Sequence, residues 1–395
     1  MKILRIFYPF ILIAVFISSC SVARVNTLPG KVITGDLRTE KYIQLLKGKR
    51  VAVVANQTSM AGTTHVVDTL VSLGINISLI FAPEHGFRDM ADAGEKVSNS
   101  RDSKTGIRII SLYGSHLKPT AADLKDIDVV VFDIQDVGAR FYTYISTLSL
   151  VMESCASGGV KFIVLDRPDP NGFYFDGNIP DTAYRSFVGM HPVPVVHGMT
   201  TGEYARMVNG EGWLKSGMKC KLTVIPCENY THSTLYDLPV PPSPNLTNLT
   251  SVYLYPTLCF FEGTALSVGR GTEYPFQVFG SPDNIGTGFS FTPEGRQGAK
   301  IPLYMGKKCY GTDLRNAIKD NLVPVPRLNL TLIIKAYRDF PQKDMFFTPY
   351  FDTLAGGKLL REQIISGMSE EAIRATWADG LKKFGKIRDK YLLYK

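Results

Sequence analysis

Leu79-Ile80-Phe81-Ala82-Pro83-Glu84-His85-Gly86-Phe87-Arg88 sets a carboxylate, an imidazole and a guanidinium directly behind an apolar run. The run suits a buried strand, and Pro83 and Gly86 break it into a turn, so the ionisable groups stand at a strand's carboxyl end. In open α/β sheets that edge is where ligands bind. Glu84 is the leading acid candidate, because partial burial between Pro83 and His85 would keep a proton available for transfer. The plain alternative is an ordinary salt bridge from Glu84 to Arg88. His85 is read as positioning Glu84 or binding substrate, or as a structural turn residue.

Asp133-Ile134-Gln135-Asp136-Val137-Gly138-Ala139-Arg140 gathers two carboxylates and a guanidinium in one loop, either a catalytic group or an Asp-Arg pair that fastens the loop. Tyr142 and Tyr144 follow, and aromatic faces beside carboxylates suit stacking on sugar rings, although core packing is a tyrosine's commoner fate. Asp166-Arg167-Pro168-Asp169-Pro170-Asn171-Gly172 is a rigid turn able to hold a polar ligand. Further along, Phe261-Glu262-Gly263-Thr264 and Gly269-Arg270-Gly271-Thr272-Glu273 add a carboxylate and a cation between glycines. Arg270 is a candidate clamp for a substrate carboxylate, or a solvated loop arginine. Asn245, held by Pro241-Pro242-Ser243-Pro244, is a candidate donor to a sugar or amide.

The chain has neither a G-x-G-x-x-G behind its first strand nor a Walker A loop, H-E-x-x-H or G-x-S-x-G. Dinucleotide, ATP, zinc-protease and esterase chemistry lose support, and no cofactor or metal is called for. Carboxylates at a sheet edge without a cofactor loop point to hydrolysis by acid/base chemistry.

The elements that must position these groups alternate. Strands read at Val51-Ala52-Val53-Val54-Ala55, at the run ending in Ala82, and at 107–112, 129–132, 162–165 and 222–225. Helices read through Val66, Val67, Leu70 and Val71, over 144–152 with a stop at Gly158-Gly159, and over 201–208. This spacing implies right-handed β-α-β units and a Rossmann-like, doubly wound, mainly parallel sheet. Asn56, Glu84, Asp133 with Asp136, and Asp166 would then converge on one edge and line a cleft. Character changes near Pro239, so residues 31–239 are assigned to the Rossmann-like domain and 240–395 to a smaller α+β or partly barrel-like domain closing the cleft. Helices are expected there at 312–318, 359–365 and 370–377, the last capped by Ser369.

Lys2 and Arg5, an apolar stretch over residues 6–17, and Ser18-Ser19-Cys20 have the form of a secretory signal. Ile17-Ser18-Ser19-Cys20 resembles a bacterial lipobox, which makes Cys20 a lipidation candidate, residues 21–30 a tether, and the protein an exported, membrane-anchored one. Cleavage near this point with Cys20 unmodified is the alternative. Loss of residues 1–19 lowers the formal charge of +8 by two. Lys382, Lys383, Lys386, Arg388 and Lys390 read as the solvated face of a last helix, so nucleic-acid binding is not inferred. Cys220 and Cys227 flank a strand that would hold them about 20 Å apart, beyond disulfide reach.

These motifs, in order over essentially the whole mature chain, resemble the NamZ-type exo-β-N-acetylmuramidases. The matching runs include Val53-Val54-Ala55-Asn56-Gln57-Thr58, Pro83-Glu84-His85-Gly86-Phe87, Asp133-Ile134-Gln135-Asp136, Arg140-Phe141-Tyr142-Thr143-Tyr144, Asp166-Arg167-Pro168 and Gly269-Arg270-Gly271-Thr272. Two departures are Asp169 in place of the usual asparagine and Arg88-Asp89 in place of arginine-glycine. The resemblance implies an exported bacterial enzyme that removes terminal N-acetylmuramic acid from peptidoglycan fragments, with an active site between its two domains and Glu84 as catalytic glutamate. Glu84 would protonate the departing oxygen, and Asp133, Asp136 or Glu262 would orient water or stabilise positive charge. Arg270 or Arg140 would take the lactyl carboxylate, with Asn56, His85, Arg88, Tyr142, Tyr144, Asp166 and Asn245 around the sugar. Retaining, inverting and substrate-assisted routes all fit. A lipid-anchored glycan-binding protein without hydrolysis is the competing reading.

Overall fold

The computed structural model describes residues 30–88, 100–283 and 288–395. Residues 1–29, on which the expected signal, the lipidation of Cys20 and most of the tether fall, lie outside the described residues. Val32–Lys395 pack as one compact unit.

The central sheet has seven strands: β1 (Val51–Ala55), β2 (Ile77–Ala82), β3 (Ser100–Arg101), β4 (Arg108–Ser111), β5 (Val129–Asp133), β6 (Lys161–Leu165) and β7 (Lys221–Ile225). Their order is β3-β4-β2-β1-β5-β6-β7, and every pairing is parallel except β3 against β4. The chain builds outward from β1 on one side, then crosses to the other for β5 to β7. The carboxyl edge beside β1 is therefore a topological switch point.

All five residues of β1 are buried, because helices cover both faces of the sheet and both sets of side chains must be apolar. Val51, Val53 and Ala55 join α1 (Thr39–Leu46) and α2 (Val66–Ser72) in one core, while Ala52 and Val54 face the other. Beyond α3 (Ala121–Leu124), that second core takes in α4 (Tyr144–Gly158) and α5 (Thr201–Gly210). Gly159 ends α4 in the left-handed region, φ 66°, a conformation that glycine adopts without steric cost.

A second, smaller α+β domain follows. It opens with α6 (Leu249–Leu258) and carries an open antiparallel sheet, β8 (Val278–Ser281), β9 (Phe289–Phe291) and β10 (Cys309–Asp313), in the order β8-β10-β9. Then come α7 (Thr331–Asp339), α8 (Pro349–Ala355), α9 (Leu359–Ile365), α10 (Glu370–Ala375) and α11 (Ala378–Arg388). The apolar core around α4 and α5 continues into this part through Phe260, Phe346 and Phe351.

Three expectations need correction here. Residues 312–318 are the end of β10 and a run of turns rather than a helix. Leu314 and Ala317 are buried three residues apart, which mimics helical spacing, but Leu314 is tied to Gln277 by its backbone N–H. The open three-stranded sheet is not barrel-like. Arg388 is not on a solvated face: it is buried and donates from Nε and Nη2 to the Gly198 carbonyl at 2.9 and 2.6 Å. Ser369 caps α10 as its sequence position suggests, accepting from the Ala372 N–H. The five cysteines from Cys155 to Cys309 are buried and free.

Candidate active site

A cavity of about 190 Å³ opens where the turn after β2 meets the first turn of α4 and the smaller domain. Glu84, His85, Thr143, Glu262, Arg270 and Tyr350 are among its lining residues. The turn is tight: Gly86 N–H donates to the Pro83 carbonyl at 3.1 Å, His85 has φ 72° and Gly86 φ 89°. A non-glycine residue in this region is strained by roughly 1–2 kcal/mol, and such strain collects at functional sites. The consequence is that Glu84 leaves the strand end pointing toward α4, where Thr143 Oγ1 donates to its Oε2 at 3.0 Å.

Glu262 arrives from the other side, on the short 3-10 turn Cys259–Gly263 that follows α6. Arg270 Nε donates to Glu262 Oε1 at 2.5 Å, and the Cys259 thiol lies 3.8 Å from Oε2. The guanidinium also sits over the Phe276 ring, 5.0 Å from its centroid. Burial opposes the Arg270 charge, but Glu262 outweighs it and holds the group above its ordinary value. The pocket thus carries one glutamate beside a neutral hydroxyl and another beside a fixed cation.

The other nominated groups are turned inward. Asp133 is fully buried and takes Arg167 Nε and Nη2 at 2.6 and 2.9 Å, a pair that secures the edge of β5 with Asp36 nearby. Burial pushes the Asp133 carboxyl up to about 6, against the pull of Arg167. Asp136 is buried, accepts from the Gly138 N–H at 2.8 Å, and is pushed by burial to about 7. Neither is among the residues that line the cavity. Asp136 serves loop geometry because the turn before α4 leaves backbone N–H groups that need acceptors.

Arg140 is also turned inward. It is buried and donates to the carbonyls of Asn178, Val193, Leu354 and Ala355, which leaves it no route to a substrate carboxylate. Arg88 pairs with Asp102 and Asp68 instead of Glu84, which removes the salt-bridge alternative for Glu84. Asp166 binds Thr200, Gly202 and Tyr394 in the interior. Asn56 is buried and accepts from Thr58 N–H and Oγ1 at 2.9 and 2.6 Å. Asn245 donates from Nδ2 to Gly298 at 2.8 Å and stands behind the wall formed by Ser243 and Leu246.

Tyr142 and Tyr144 do line the cavity, but at 7% and 3% exposure their rings pack edge to face at 4.9 Å rather than offering a face to a ligand. The more open aromatics, Tyr113, Phe187 and Tyr350, were missed by sequence reasoning. The signal available for Tyr113 was its place just beyond the carboxyl end of β4; Tyr350 gave none.

Residues 51–250 match the family model described as "Exo-beta-N-acetylmuramidase NamZ, N-terminal", and residues 253–394 match its C-terminal counterpart. Peptidoglycan beta-N-acetylmuramidase NamZ of Bacillus subtilis (strain 168) is 38% identical over 393 residues, 92% of either chain. A solved DUF1343 family protein from Bacteroides fragilis NCTC 9343 is similar with a TM-score of 0.85 at 46% identity, over 92% of this chain and 99% of its own. A second DUF1343 family protein from that strain gives 0.77 at 28% identity over the same shares.

Proposed function

The chain belongs to the NamZ family of exo-β-N-acetylmuramidases, and on that premise we propose that it hydrolyses terminal, non-reducing β-1,4-linked N-acetylmuramic acid from peptidoglycan fragments in cell-wall turnover or recycling. The observation that carries this reading is one pocket holding Glu84 beside a hydroxyl and Glu262 beside Arg270. Glycoside hydrolysis needs two carboxyl groups in unlike surroundings, one to give a proton and one to carry negative charge. Glu84 gives its proton to the glycosidic oxygen as the bond to the anomeric carbon breaks. Glu262, facing a cation, supports the positive charge that develops on the sugar or orients the water that replaces the leaving group. Arg270 spends Nε on Glu262, and its terminal nitrogens face the lactyl carboxylate that distinguishes muramic acid from N-acetylglucosamine.

The test is release of chromophore from a β-N-acetylmuramide and, in parallel, from the β-N-acetylglucosaminide. Turnover of the muramide alone, abolished by Glu84→Gln with binding retained, supports the assignment; turnover that survives Glu84→Gln removes Glu84 as the acid. The same reading includes export and a lipid on Cys20, supported by the sequence of residues 1–20. Mass spectrometry of the mature terminus decides it, since Cys20→Ala should abolish the diacylglyceryl mass and release the protein from membranes.

A further inference from the structure

We propose that Tyr350 is an aromatic that contacts the substrate, its ring walling the pocket mouth and its hydroxyl donating to the sugar held between Glu84 and Glu262. The inference rests on the muramidase reading of the pocket and adds a residue from the smaller domain to it.

Five other aromatics of the pocket, Phe141, Tyr142, Tyr144, Tyr255 and Phe276, are committed to one another or to the backbone. Phe141, Tyr142 and Phe276 all pack edge to face on Tyr255, at 5.6, 5.7 and 5.0 Å. The Tyr142 hydroxyl donates to the Pro242 carbonyl at 2.6 Å, and that of Tyr144 reaches the Glu84 carbonyl. Tyr350 is 44% exposed, and among the described residues its hydroxyl has no hydrogen-bond partner. A half-exposed phenol with an uncommitted hydroxyl, at the edge of a pocket with two carboxylates, has the chemistry of a sugar contact.

The fold holds this ring in place through its neighbours. Pro349 starts α8, Tyr350 is next, and Phe351 is fully buried, packing on Phe347 at 4.6 Å and Phe260 at 5.8 Å. Thr348 N–H donates to the Gly263 carbonyl at 2.9 Å and Ala265 N–H to the Phe346 carbonyl at 2.8 Å. These bonds lash the start of α8 to the turn that carries Glu262. Gly263 is required there: a Cβ would lie 2.4 Å from Phe351 Cα. Partial burial, with Cys259, Glu262 and Glu84 all adding to it, pushes the Tyr350 phenol above its ordinary value despite Arg270. The hydroxyl therefore keeps its proton and acts as a donor.

The experiment compares the full chain with Tyr350→Phe and Tyr350→Ala by calorimetric titration with N-acetylmuramic acid and by steady-state hydrolysis of the chromogenic muramide, with melting curves as a control. Loss of the ring should weaken binding and kcat/KM by about tenfold or more, mainly through KM, and loss of the hydroxyl alone by a smaller factor. Melting should be unchanged, because the ring is not part of the core. Binding and kcat/KM within twofold of wild type in Tyr350→Ala would overturn the contact and leave the muramidase reading intact. Tyr350-dependent binding without turnover by the wild type would support the contact and overturn the hydrolase reading.

Discussion

Thr143 Oγ1 donates to Glu84 Oε2 at 3.0 Å, although Thr143 is the N-cap residue of α4 and its side chain makes no capping bond to its own helix. A threonine in that position ordinarily satisfies a helix N–H; here the hydroxyl instead fixes one rotamer of the acid. Thr143→Val keeps the shape and removes the donor. It should lower kcat by about tenfold with little change in KM, the pattern of a lost positioning contact. Thr143→Ser should recover most of the activity, and steady-state kinetics with equal melting temperatures would separate this from a folding defect.

The two arginines expected to compete for the lactyl carboxylate should behave oppositely. Arg140 serves four backbone carbonyls in the interior, where burial pulls its guanidinium down to about 10. Arg140→Met leaves those acceptors unpaired and should cost about 3–5 kcal/mol of stability in denaturant unfolding. Arg270→Met should melt close to wild type yet lose preference for the muramide over the glucosaminide.

The sheet was legible because a strand covered on both faces must be apolar at every position, as in Val51-Ala52-Val53-Val54-Ala55. The same logic hid α6. Leu249–Leu258 is buried nearly all round with Pro256 inside it, so it shows no polar stripe and reads like a strand or loop. In the site, Glu84 was found because the break from apolar run to turn is local in sequence. Asp133, Asp136 and Asp166 stand at the same edge, but whether a carboxylate faces a cleft or an interior N–H is decided by partners such as Arg167 and Tyr394, far away along the chain. Tyr350 depends on the packing of α8 against Gly263, which has no counterpart in any short motif.

Asp136 provides a pH test of a role in the scaffold. Its folded value near 7, raised by burial against the Gly138 and Val137 N–H groups, exceeds the ordinary carboxylate value of about 4. The folded state therefore binds this proton more tightly than the unfolded chain does. The stability it provides is complete below about 4 and is lost as pH rises through about 7. His197, 3.9 Å away, is itself held neutral by burial, and the nearby phenols of Tyr142, Tyr144 and Tyr204 carry no charge to offset it. Asp136→Asn keeps an acceptor for Gly138 and cannot ionise. Unfolding free energies should favour the Asn variant near pH 8 and converge at acid pH, and a gap that is the same at every pH would mean that Asp136 does not titrate there.

Asp166 likewise belongs to the scaffold, and the end of the chain shows how. Tyr394 hydroxyl donates to Asp166 Oδ2 at 2.6 Å and accepts from the Cys227 N–H at 2.8 Å, while Glu203 Oε1 takes the N–H groups of Leu393 and Tyr394 at 2.7 and 3.3 Å. The last residues thus staple α11 back onto the ends of β6 and β7. Tyr394→Phe leaves Cys227 N–H without its acceptor and Asp166 with one donor fewer, which should cost about 1–3 kcal/mol. Because the staple touches none of the pocket residues, KM for the muramide should be unchanged in the folded variant. Denaturant unfolding and kinetics on the same preparation check both halves, and a rise in KM without loss of stability would return Asp166 to the substrate-binding set.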